Sequence, residues 1–206
     1  MNRSRPEAAS FDVSALPSYA FGHRSLMWWA TFGVVLIEGT VFALAIVAYF
    51  YLRTRNANWP PGVLAPGLLF GTLNTVVMLA SGIPNEWTRR RARKEDLRAV
   101  QIGMFVCLAF AVVFLTLRVF EFRSLNVAWD TNAYGSAVWM LLGLHTVHLV
   151  TDALDTVVLA VLMVTGPIEG KRFVDVSENA EYWWFVILAW LPIYGVIYLV
   201  PHLWPA

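Results

Sequence analysis

The chain has 206 residues, of which 58% are apolar and only 14% charged, and its formal net charge is +1. Charge falls in short clusters separated by windows of about 20 residues nearly free of Lys, Arg, Asp and Glu, which excludes an ordinary soluble domain and requires solvation by lipid or by other membrane subunits. The near-neutral balance gives no basic field for nucleic acid, and the single cysteine, Cys107, has no internal disulfide partner.

Residues 1–25 contain no apolar core and carry Pro6 and Pro17, so they read as a polar arm rather than a cleaved secretory signal. Five spans follow within residues 26–201, leaving 202–206 as a short tail. The first, about 26–51, has Trp28, Trp29, Tyr49 and Tyr51 where aromatic rings favour the two interfaces, and only Glu38 interrupts it. A linker with Pro60 and Pro61 leads to the second, about 64–83, which Pro84 is expected to close. The run RRRARK, Arg89 to Lys94, precedes the third span, about 97–120. The fourth, about 134–164, exceeds what a bilayer needs and so is tilted or extends into water. A loop, GPIEGKRFVDVSEN, then precedes the fifth span at about 182–200.

Alternating the loops across the membrane puts Arg3, Arg5, Arg24, the six cations from Arg89 to Arg98, Lys171 and Arg172 on one side. Arg53, Arg55, Arg118 and Arg123 stand opposite. The eleven-to-four split predicts a cytoplasmic amino terminus and an external carboxyl terminus. Beyond setting topology, Arg89, Arg90, Arg91 and Arg93 are candidates for binding anionic lipid headgroups.

Ionisable groups within spans are costly unless paired or wetted. Glu38 lies well into its helix, near the bilayer midplane, so its carboxyl must be neutral or hydrogen-bonded. It is either a proton-linked group or an acid bonded to a facing helix. In the fourth span His145, His148, Asp152 and Asp155 are spaced three, four and three apart, forming a stripe along one helical face. Two histidines at that spacing can share a metal. No other span supplies the further ligands of a closed site, so no metal is assigned and a hydrogen-bonded interhelical stripe, with Glu38 or Arg118 among its partners, is preferred. No Gly-rich phosphate loop, CxxC pair or GxSxG elbow is present, and no catalytic residue is assigned. Trp183, Trp184 and Trp190 read as packing and headgroup anchors rather than a ligand cage.

Taken in order, the motifs resemble the subunit III family of haem–copper (cytochrome c) oxidases. The segment IEGTVFALAIVAYFYLR from Ile37, the Trp59-Pro60-Pro61 linker, LNT at Leu73 to Thr75, FEF at Phe120 to Phe122, AYGSAVWMLLGLHTVHLV from Ala133 and EYWWFVILAW from Glu181 carry the resemblance. It covers nearly the whole chain and is strongest at Gly143, His145 and His148. In two places the chain departs from the family pattern. Trp184 and Ile187 stand where His and Asp are common, and Asp152 stands where glycine is common, with Asp155 a further acid.

The resemblance implies an all-α membrane bundle of five helices, the short form without the first pair of a seven-helix family. It further implies a non-catalytic subunit of a proton-pumping oxidase in aerobic electron transport. Haem and copper would sit in partner subunits and none in this chain; the partners would be catalytic subunit I, other oxidase subunits and bound phospholipid, in the bacterial inner membrane. Supporting proton uptake, lipid binding and stability of the catalytic subunit are the implied roles, with Glu38, His145 and His148 as a buried cluster. A subunit III-like accessory protein of a nitric-oxide reductase is the alternative. A stand-alone transporter using the acidic stripe is a third reading, against which stands the absence of a detectable inverted repeat.

Overall fold

The computed structural model describes residues 19–204; the arm residues 1–18 and the last two residues of the tail, with Arg3 and Arg5 among them, lie outside the described residues. Within that range every regular element is a helix. Five helices are long and apolar enough to cross a bilayer: α1 (Leu26–Thr54), α2 (Leu68–Ala92), α3 (Leu97–Arg123), α4 (Ala133–Thr165) and α5 (Gly170–Tyr194). A π-helical segment, Gly195–Leu199, and a short α6, Val200–Leu203, prolong the fifth span.

Several helix starts are set by local side chains. Ser25 Oγ accepts from the Met27 amide at 3.1 Å, Asp96 Oδ1 from Ala99 at 3.3 Å and Asn132 Oδ1 from Gly135 at 2.8 Å. Each satisfies an amide that has no partner within its own helix.

Two helices outrun the apolar segments that announce them. Pro84 does not close α2; the helix passes through it to Ala92, where Glu86 pairs with Arg89 at 2.8 Å and with Arg90 at 2.7 Å across one turn. The stretch expected as a loop before Tyr182 is helical from Gly170. Its buried positions Phe173, Val176 and Ala180 continue, at spacings of three and four, the stripe of Trp183, Ile187 and Trp190. A hydropathy window misses this turn-by-turn stripe because the opposite face carries Lys171, Arg172 and Asp175.

In the bundle α2 packs on α3 and α5, α4 packs on α3 and α5, and α1 lies at the periphery against α4 and α5. Close approach depends on glycine at two crossings: a Cβ on Gly71 would fall 2.5 Å from the Tyr198 ring, and one on Gly103 would fall 2.0 Å from Thr88 Oγ1. The loops sort to two ends. Gly170 lies beside Glu95 and Tyr19 at one end; at the other, Asn126 donates to the Ala65 carbonyl, Asn132 to the Pro61 carbonyl and Arg53 to the Trp204 carbonyl.

Candidate functional site

The polar stripe on α4 is divided between two neighbourhoods. His145, fully buried, turns towards α3 and α5, whereas His148 turns towards α1. One helical turn apart, the two rings face different helices, and their nitrogens do not converge on a common point.

The first neighbourhood centres on Glu38. Tyr182 on α5 donates its hydroxyl to Glu38 Oε2 at 2.7 Å, and His148 Nε2 lies 3.5 Å from Glu38 Oε1. His148 Nδ1 is 2.7 Å from the Leu144 carbonyl, which can only accept, so Nδ1 carries a hydrogen. Nε2, the other ring nitrogen, is the one that faces Glu38 Oε1.

The second neighbourhood holds a buried ion pair. Arg118 Nη1 donates to Glu121 Oε2 at 2.8 Å, and both side chains are at most 1% exposed. Asn74 also donates to Glu121 Oε2, at 3.0 Å, and Tyr198 donates to Oε1 at 2.6 Å. The Arg118 guanidinium lies 4.1 Å from the centre of the Trp190 ring, and its Nη2 is 3.2 Å from His145 Nδ1. Arginine only donates, so His145 accepts at Nδ1; its Nε2 carries the hydrogen and donates to the Val186 carbonyl at 3.0 Å. Both Glu121 oxygens are occupied, which is what lets the pair hold in an apolar interior, whereas Arg118 Nε and Asn74 Oδ1 have no hydrogen-bond partner among the described residues.

Asp152 and Asp155 share Asn179 of α5, whose Nδ2 donates at 3.3 Å to Asp152 Oδ1 and at 3.0 Å to Asp155 Oδ2. Asp152 is buried and Asp155 exposed. With Glu38 they line a cleft of about 850 Å³ between α1, α4 and α5. Among the described residues no group of three or more His, Cys, Asp and Glu side chains has the geometry to hold a metal.

Each of the four candidate headgroup arginines is paired with a carboxylate. Arg89 contacts Glu86 and Glu181, Arg90 contacts Glu86, Arg91 contacts Asp96, and Arg93 contacts Glu181. Glu181, on α5, also accepts from Trp28 Nε1 at 2.9 Å, tying α1 to α5 and, through Arg89, to this end of α2. Arg90 is the most open of the four, with 74% of its side chain exposed. Of the tryptophans, Trp183 donates to Ser81 and Trp190 to Thr75, both deep in the bundle, so these two pack helices and do not sit at headgroups.

Sequence reading did not single out Tyr182, Asn179 or Tyr198 as members of these clusters. The signal for Tyr182 and Asn179 is the three-and-four periodicity that carries α5 back to Gly170. Tyr198 has no such signal, because its role depends on the π-helical segment that turns it towards Glu121.

A family model described as cytochrome c oxidase subunit III matches residues 21–202. The chain is 26% identical over 202 residues to cytochrome c oxidase subunit 3 of Synechocystis sp., covering 94% of this chain and 86% of that protein. With cytochrome c oxidase subunit 3 of Thermostichus vulcanus it shares 24% over 169 residues, 81% and 83% of the two chains. It is also 26% identical over 187 residues to the heme-copper oxidase subunit I+III of Aeropyrum pernix, where it spans 86% of its own length but only 22% of that protein.

Proposed function

Since the chain belongs to the cytochrome c oxidase subunit III family, we propose that it serves as the non-catalytic third subunit of a haem–copper terminal oxidase, packing against the catalytic subunit. The match over residues 21–202 carries this reading. The Aeropyrum pernix relative, whose name joins subunits I and III in one protein, supports subunit I as the partner.

In this role the chain supports proton uptake and the durability of its partner rather than electron transfer. Haem and copper belong to the partner subunits. The Glu38–His148 pair supports the proton part: it sets a carboxyl oxygen beside a ring nitrogen that can exchange a proton with it, with Tyr182 fixing the second carboxyl oxygen. Phospholipid binding is supported by a groove of about 390 Å³ where Ile83, Trp87 and Trp184 lie beside Arg90, offering apolar wall to an acyl chain and an open guanidinium to an anionic headgroup. The excess of cations at the end carrying Arg89 to Arg98 supports a cytoplasmic amino terminus in a bacterial inner membrane, with the carboxyl terminus outside.

Affinity purification of the tagged chain from its native membrane tests the reading. A co-purifying haem–copper subunit that reduces oxygen is the expected result. A partner that reduces nitric oxide instead, or no haem protein at all, overturns it.

A further inference from the structure

We propose that the cleft between α1, α4 and α5 is a hydrated, cation-selective inlet running from the end of the bundle that carries Lys171 and Arg172 to Glu38. Five carboxylates line its roughly 850 Å³, those of Glu38, Asp152, Asp155, Asp175 and Glu178, against the two cations at its rim. At about 1.5 Å per residue from the helix ends at Gly170 and Thr165, Asp175 lies about 8 Å deep, Glu178 about 12 Å, Asp155 about 15 Å and Asp152 about 20 Å. Glu38 lies at a similar depth, about 18 Å from the start of α1. The acids therefore form a descending series rather than a single cluster.

Four of the five are accounted for. Arg172 lies 3.6 Å from Asp175, Asn179 bridges Asp152 and Asp155, and Glu38 is held by Tyr182 and His148. Glu178 is the exception. It is 5% exposed and lines the cleft, and although the Ser25 and Thr31 hydroxyls lie beside it, neither of its oxygens is met by a well-formed hydrogen bond among the described residues. A buried acceptor without a well-formed hydrogen bond is costly, the more so if charged, so Glu178 calls for water or a cation in the space it faces. That space is many times the roughly 30 Å³ of one water. With five carboxyl groups against two cations between apolar walls that include Val34, Val158 and Leu162, each acid that is ionised focuses a field that favours cations over anions.

The smallest such cation is the proton. A hydronium in the inlet gives its proton to the Glu38 carboxylate and leaves water. The new O–H then faces His148 Nε2, to which the proton can pass as Nδ1 stays bonded to the Leu144 carbonyl. The choice of the proton rests on the proton-uptake reading above, whereas the inlet itself does not.

The test uses the full complex in sealed vesicles, with the buried Cys107 replaced as Cys107→Ser and a thiol introduced by Glu38→Cys. Thr31→Cys, also in the cleft wall, serves if the first variant fails to accumulate. A cationic methanethiosulfonate added from the side of Lys171 should label either thiol roughly tenfold or more faster than an anionic one. Adding Asp155→Asn, Asp175→Asn and Glu178→Gln should bring the two rates together. No labelling from that side, the outcome of a lipid-filled cleft, or equal rates before the acids are neutralised, would overturn the inlet. If labelling behaves as expected but an oxidase carrying the three substitutions with native Glu38 takes up protons like the unmodified complex, the inlet stands and the proton assignment falls.

Discussion

Glu38 and Tyr182, 144 positions apart in the chain, meet at 2.7 Å across α1 and α5, and this bond holds the peripheral first helix to the body of the bundle in mid-membrane. Because α1 buries little of its surface, a single directed contact there carries more weight than it would between helices packed along their length.

Replacing Glu38 by Ala should shorten the functional lifetime of the oxidase during turnover, or lower its proton coupling, while leaving its haem absorbance intact. Activity decay and haem spectra on the same preparation measure both. Loss of haem would assign Glu38 to assembly instead. Tyr182→Phe, which removes only the donated bond, should reproduce part of the effect, at a cost of about 0.5–1.5 kcal/mol in stability.

The Arg118–Glu121 pair gives a sharper expectation. Removing one partner, as in Glu121→Leu or Arg118→Met, leaves a charge buried without its counter-ion and should cost about 3–5 kcal/mol, seen as a fall in thermal midpoint in detergent. The double variant should be more stable than either single one. Additive losses would show that the charges do not act as a pair.

Gly71→Val should be poorly tolerated, because a Cβ there enters the ring of Tyr198, the residue that donates to Glu121. A loss of about 1–3 kcal/mol is expected from overpacking. Tyr198→Ala in the same chain should relieve the clash without restoring the hydrogen bond. Thermal unfolding of the single and double variants, with Tyr198→Ala alone as reference, separates the two contributions.

Neutralising Arg89, Arg90, Arg91, Arg93 and Lys94 together should weaken the orientation signal and place a fraction of molecules with Ser124 on the cytoplasmic side. Accessibility of a thiol introduced by Ser124→Cys to impermeant reagents reads this out. An unchanged single orientation would show that another determinant dominates.

The α4 stripe shows how far a linear reading reaches. Spacings of three and four put His145, His148, Asp152 and Asp155 on one broad face, and the requirement that they be partnered is equally plain from their depth in the membrane. Yet a face of that width spans two neighbours, so His145 joined Arg118 while His148 joined Glu38. The choice rests on a rotation of a few tens of degrees that no spacing encodes. The ends of α2 and α5 were missed for a related reason: amphipathic turns beyond the apolar run lower mean hydropathy without ending the helix.

What the amino-acid sequence determined by itself was the number of spans, the alternation of their connections and the ordered motifs of the family. These follow from apolar length and local residue order, which are properties along one dimension. Tertiary structure alone decided that Tyr182 fixes Glu38, that Asn74, Tyr198 and Arg118 converge on Glu121, and that five carboxylates share one cleft. Each of those depends on which faces of separate helices meet, and that is settled by packing the bundle as a whole.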